Sequence, residues 1–221
     1  MRKTRFKFNT KFIIISLAIV LAIIIFTVCI FTNKNTKMFN KNFNMGNNIT
    51  NKSIQEIEKY ILNISSYEAK LEVTVQSNKN TNKYILEQKY NKGVKEEQTV
   101  LEPSNIEGLT ILYENEKLTI NNTKLNLQTV YDNYEYITDN NLWLNSFIKD
   151  YEENSSKNIS EDSKNIIMTV DISKSNNYGN VKMLYINKET GNPEKMLIQD
   201  KNQKNIVYIL YNEIRINDLN N

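Results

Sequence analysis

Histidine is absent from this 221-residue chain, and cysteine occurs once, at position 29. Without imidazole there is no general base titrating near neutrality, no imidazole metal ligand and no Ser-His or Cys-His pair. Cys29 lies inside an apolar run, so the rest of the chain forms no internal disulfide and offers no thiolate. The five glycines are scattered singly, which leaves no glycine-rich loop to cradle phosphate. The one dense acidic cluster, Asp150-Tyr151-Glu152-Glu153, sits at the end of an expected helix and is read as solvated rather than metal-binding. A glycosidase-type carboxylate pair is not excluded by sequence, but nothing points to one. The residues therefore imply a protein that acts by binding, with no catalytic group, cofactor or metal.

What is present starts with an apolar run. Residues 12–31 carry no charge, and every charge before them, Arg2, Lys3, Arg5, Lys7 and Lys11, is positive. About 20 apolar residues in helix cross a bilayer core, and a basic cluster before the helix is retained in the cytoplasm. Residues 1–11 are thus expected to be cytoplasmic, 12–31 a transmembrane helix or uncleaved signal anchor, and the body exported across a bacterial cell membrane. A cleaved secretory leader, or one lipidated at Cys29, is the alternative; the run is long for a leader, and Val28 suits a lipidation signal badly. The first acidic residue is Glu56, so the leader and the linker at 32–52 are wholly cationic and suit anionic lipid. The net charge of +3 is supplied by the leader. The exported part has no basic block for nucleic acid.

Residues 53–221, roughly 170, suffice for one domain. Ser53-Ile54-Gln55-Glu56 is a capping box, followed by Ile54, Ile57, Ile61 and Ile64 on one helical face. From Ala69 the period changes to two: Ala69, Leu71, Val73 and Val75 alternate with polar residues. Further strands are expected at 83–91, 94–102, 109–114 and 117–121, then at 165–173, 180–187, 194–200 and 205–217, with a helix at 141–152 between the sets. Gly191 and Pro193 mark a tight hairpin loop, with Pro193 able to begin a strand. The fold class is α+β: one large curved antiparallel sheet, with helices covering its apolar face.

Tyr131, Tyr134, Tyr136, Leu142, Trp143 and Phe147 form the candidate partner- or ligand-binding group, because aromatics bring large apolar area with polar handles. Core packing is the competing role for the same residues. Trp143 is the strongest single candidate.

The order of helix, hairpins, helical insert, strand, Asn187-Lys188-Glu189-Thr190-Gly191-Asn192-Pro193, strand and the final strand from Tyr208 to Asn217 resembles the LolA-type lipoprotein-carrier superfamily. Leu101-Glu102-Pro103-Ser104-Asn105-Ile106-Glu107-Gly108, Lys124-Leu125-Asn126-Leu127 and Asn141-Leu142-Trp143-Leu144-Asn145-Ser146-Phe147-Ile148 are similar to GerS-type spore germination proteins. The resemblance implies an incomplete barrel with helices on its concave face. It also implies a non-enzymatic envelope protein that binds and assists a cell-wall (spore cortex) amidase, or alternatively a binder of lipid or lipoprotein acyl chains. It is fold-and-family analogy.

Overall fold

The computed structural model describes residues 53–134, 140–172 and 179–216. The expected cytoplasmic segment, membrane span and linker lie outside the described residues, as do Cys29 and Tyr136. Among the described residues no helix is long and apolar enough to cross a membrane.

The first helix, α1 (Ile54–Leu62), begins with the capping box read from the sequence: the Glu56 amide donates to Ser53 Oγ at 3.3 Å and the Ser53 amide to Glu56 Oε2 at 2.7 Å. Ile57 and Ile61 are buried, as is Ile64 just beyond the helix. Six strands follow as a meander: β1 (Ser66–Gln76), β2 (Thr81–Asn91), β3 (Lys95–Glu102), β4 (Leu109–Glu114), β5 (Lys117–Asn122) and β6 (Leu127–Asp132). Helix α2 (Leu144–Glu153) then leads to a second meander of β7 (Lys157–Glu161), β8 (Asn165–Asp171), β9 (Val181–Asn187), β10 (Pro193–Gln199) and β11 (Asn205–Ile216).

The 11 strands among the described residues form one antiparallel sheet in the order β6-β5-β4-β3-β2-β1-β11-β10-β9-β8-β7. The two meanders meet where β1 pairs with β11, from Tyr67 opposite Ile216 to Val75 opposite Val207, with a bulge at Lys70/Leu71. The sheet is open, and its edges are β6 and β7. In the β9–β10 hairpin Gly191 takes φ +71, its amide donates to the Asn187 carbonyl at 2.8 Å, and Pro193 is the first strand residue. That places proline where no ladder donor is needed.

Alternation divides the sheet into two faces. The inner face carries Tyr67, Ala69, Leu71 and Val73 of β1, Ile166, Met168 and Val170 of β8, Leu184 and Ile186 of β9, and Ile209 of β11. Both helices pack into this core, α2 through Leu144, Phe147 and Tyr151 and α1 through Ile57 and Ile61. On the outer face Arg215, Glu68, Lys89 and Glu97 follow one another across four strands in register, so opposite charges neighbour one another in water.

The sequence-based expectation differs from this architecture at the rims. Strands β6 and β7 were not foreseen, and α2 begins at Leu144 rather than at 141. An edge strand has one partner and little burial, so its sequence need not alternate. β6 is exposed along its whole length. The later start of α2 follows from a turn in which Asn140 Oδ1 accepts from the Leu142 amide at 3.0 Å.

Candidate functional site

The six candidate residues separate into two groups. Trp143 is 2% exposed and Phe147 fully buried, while Leu142 is half-buried and packs on the same core. Trp143 lies 6.5 Å, ring to ring, from Tyr67, and Phe147 stacks on Tyr151 at 5.7 Å. These side chains fill the space between helix and sheet. Tyr131, by contrast, is 48% exposed on β6, with its ring 6.3 Å from half-buried Tyr134.

Trp143 stands at the N-cap of α2 and provides no side-chain cap. Its function there is replaced from the sheet. Tyr67 Oη accepts from the Leu144 amide at 3.3 Å and donates to Gln88 Oε1 at 3.3 Å. Gln88 Nε2 in turn donates to Gln98 Oε1 at 2.9 Å and to the Leu142 carbonyl at 3.3 Å. Two inward glutamines and a tyrosine thus satisfy the helix start inside the core, where open amides would be costly. Burial holds the Tyr67 phenol well above its ordinary value.

Along the helix a second polar connection pins α2. Lys182 of β9 is fully buried; its Nζ donates to Ser146 Oγ at 2.7 Å and to Asp150 Oδ2 at 2.6 Å. The serine–lysine contact has the residue types of a nucleophile and base, but the lysine is also bonded to the Asp150 carboxylate and the group is closed to substrate. Its arrangement is that of a clamp. The reading of Asp150 as solvated is therefore corrected: it is the counter-charge of a buried lysine. The sequence held the signal, since Lys182 occupies an inward slot alternating with Leu184 and Ile186.

The third feature is a register row on the inner face. Ile216, Tyr67, Tyr90, Glu96, Tyr113, Leu118 and Tyr131 oppose one another successively across β11, β1, β2, β3, β4, β5 and β6. It begins in the core, where the Tyr67 and Tyr90 rings are 5.3 Å apart, and ends at exposed Tyr131. Midway, Glu96 Oε1 accepts from Asn145 Nδ2 at 3.1 Å, while burial holds its carboxyl above the ordinary value. Tyr90 is pushed up to about 12, first by burial and then by the Glu96 charge. Around the end of this row the wing of β4, β5 and β6 exposes Leu125, Leu127, Val130 and Tyr131. Among the described residues no three histidine, cysteine, aspartate or glutamate side chains gather as a metal site.

With this geometry in place, comparison with known proteins shows similarity to several solved structures. A chain in the structure of the CwlD amidase from Clostridioides difficile in complex with the GerS lipoprotein is 28% identical, over 72% of this chain and 91% of that one, with a TM-score of 0.48. An uncharacterized conserved protein from Thermus thermophilus is 11% identical, over 76% and 90%, with a TM-score of 0.50. A LolA superfamily protein from Nitrosomonas europaea is 9% identical, over 76% and 96%, with a TM-score of 0.40. No protein-family model and no curated protein matches the chain. The chain is thus similar to a LolA superfamily protein and to a chain of the GerS complex, the resemblance that its sequence carries.

Proposed function

We propose that this protein is a non-catalytic, extracytoplasmic binding protein, held at the bacterial membrane by residues 12–31, that assists another envelope protein. The observation that carries the reading is the contrast between a filled inner face and a bare apolar wing. Trp143, Phe147 and Tyr151 occupy the space under the helices, and the space left open on the inner face is lined by Glu96, Asn145 and several lysines, which favours protein contact over the carriage of an acyl chain. Leu127, Val130 and Tyr131 on the β6 edge offer both apolar side chains and unpaired backbone groups, the requirements for adding a partner strand. The GerS-like sequence segments direct the reading to a cell-wall amidase as partner.

Co-expression of the full chain with a cell-wall amidase of its own organism tests this. Co-purification is expected, together with weakened retention when Leu127 and Tyr131 are both changed to serine. Failure of the amidase to be retained, with cortex muropeptides unchanged in a deletion strain, overturns the reading. Mass spectrometry of the native protein addresses lipid directly; a stoichiometric acyl ligand contradicts the filled inner face.

A further inference from the structure

The register row passes through a cavity of about 490 Å3 bounded by the β2–β3 hairpin, the β4–β5 turn and one flank of α2. Tyr90 and Tyr113 stand in its walls on either side of Glu96, each directly opposite it on a neighbouring strand. Ile64 and Ile148 add apolar surface, and Asn145 projects from the helix. Two acceptors there have no donor: Glu96 Oε2 and Asn145 Oδ1 are both shielded from water and without a hydrogen-bond partner. The Asn145 amide nitrogen is engaged on the other Glu96 oxygen, Oε1, at 3.1 Å. These two acceptors therefore stand unmatched in the wall. A buried carboxylate in that condition is costly until a donor, preferably a charged one, reaches it.

We propose that this cavity binds a hydrogen-bond-donating cation, a guanidinium or alkylammonium group, on Glu96 and Asn145 between the rings of Tyr90 and Tyr113. A carboxylate supplies the charge, the amide oxygen a second acceptor, and the tyrosine faces the attraction of aromatic rings for cations. The terminal torsion of a glutamate is broad, so a turn of the Glu96 carboxylate brings Oε2 to the opening. The mouth carries both signs: Lys92 and Lys95 on the hairpin, Glu116 on the β4–β5 turn, and Lys149 and Glu152 on α2. Lys95 is committed to Glu97 at 2.6 Å. No described donor reaches Glu96 Oε2. The site stands on its own geometry and does not depend on the amidase reading.

Side-chain amide NMR of the full chain tests it, with two probes: agmatine, a free guanidinium, and the capped tripeptide Gly-Arg-Gly, which presents the same group on a peptide. The neutral citrulline tripeptide is the control. Saturable shifts of the Asn145 amide are expected with a cationic probe and not with citrulline, and E96Q is expected to weaken binding at least about tenfold. Binding of both cations identifies a site open to free amines; binding of the peptide alone assigns the cation to a protein side chain. Absence of a saturable shift with either cation overturns the proposal, as does unchanged affinity in E96Q. E96Q removes a buried charge and is expected to fold at least as stably as the parent at neutral pH, so its loss of binding is distinguishable from unfolding.

Discussion

The helix-covered part of the sheet and the β4–β6 wing are built from the same antiparallel ladder, yet they use apolar residues differently. In β8 and β9 every second residue is buried, β1 buries Tyr67, Ala69, Leu71 and Val73, and β11 buries Ile209, Tyr211 and Ile216. In the wing only Leu118 is buried, Ile111 and Ile120 are half-buried, and Leu127, Val130 and Tyr131 face water. One register row connects the regions, so the same inward position is occupied by a core tyrosine at residue 67 and by a surface tyrosine at residue 131. Ladder pairing alone does not create a core; a covering element does.

The contrast is broken most directly from the covered side. Phe147→Ala removes a fully buried ring and is expected to destabilise the domain by about 3–5 kcal/mol in denaturant titration. Asp150→Ala is expected to cost about as much, because it strands the buried Lys182 ammonium; pairing it with Lys182→Met should recover most of the loss. If Asp150→Ala alone is harmless, the clamp is not a fixed feature of the fold. Tyr67→Phe deletes one hydroxyl that serves both the Leu144 amide and Gln88, with an expected cost of about 1–2 kcal/mol.

Smaller effects come from the boundary and the wing. Glu96 has its carboxyl raised by burial, so its contribution to stability is fully present below the unfolded-state value and is lost as pH rises through the folded-state value. Unfolding titrations of the parent at several pH values should show that decline above the ordinary glutamate range, and E96Q should flatten it. Leu127→Ser and Tyr131→Ser, both on an exposed edge, are expected to change stability by no more than about 0.5 kcal/mol. Loss of amidase retention by these variants without loss of stability would separate recognition from folding; a large stability loss would show that the wing is covered after all.

Much of the covered region was legible in the sequence because burial imposes periods. The capping box at Ser53, the isoleucine face of α1, the alternation from Ala69 and the turn at Gly191 all follow from local rules, and the structure contains each. Edge strands escaped notice because β6 and β7 bury little and obey no strict alternation. The candidate aromatics were identified by residue type, which does not distinguish Trp143 beneath a helix from Tyr131 on an edge. That distinction depends on where α2 lies. The polar residues of the inner face, Gln88, Glu96, Gln98 and Lys182, were missed for a different reason. They occupy inward slots of strands already recognised, and an inward polar slot is itself a request for a partner from elsewhere in the fold.

The seam between β1 and β11 joins the first and last strands of the sheet at its centre. Each meander can zip through short hairpins, but the joint between them requires closing nearly the whole domain into a loop, a slow entropic step. A chain delivered strand by strand across a membrane would hold Tyr67, Leu71 and Val73 without their β11 neighbours until the last strand arrived. Assembly of this domain is thus governed by the arrival of β11, and its most vulnerable intermediate is one in which every strand but the closing one is in place.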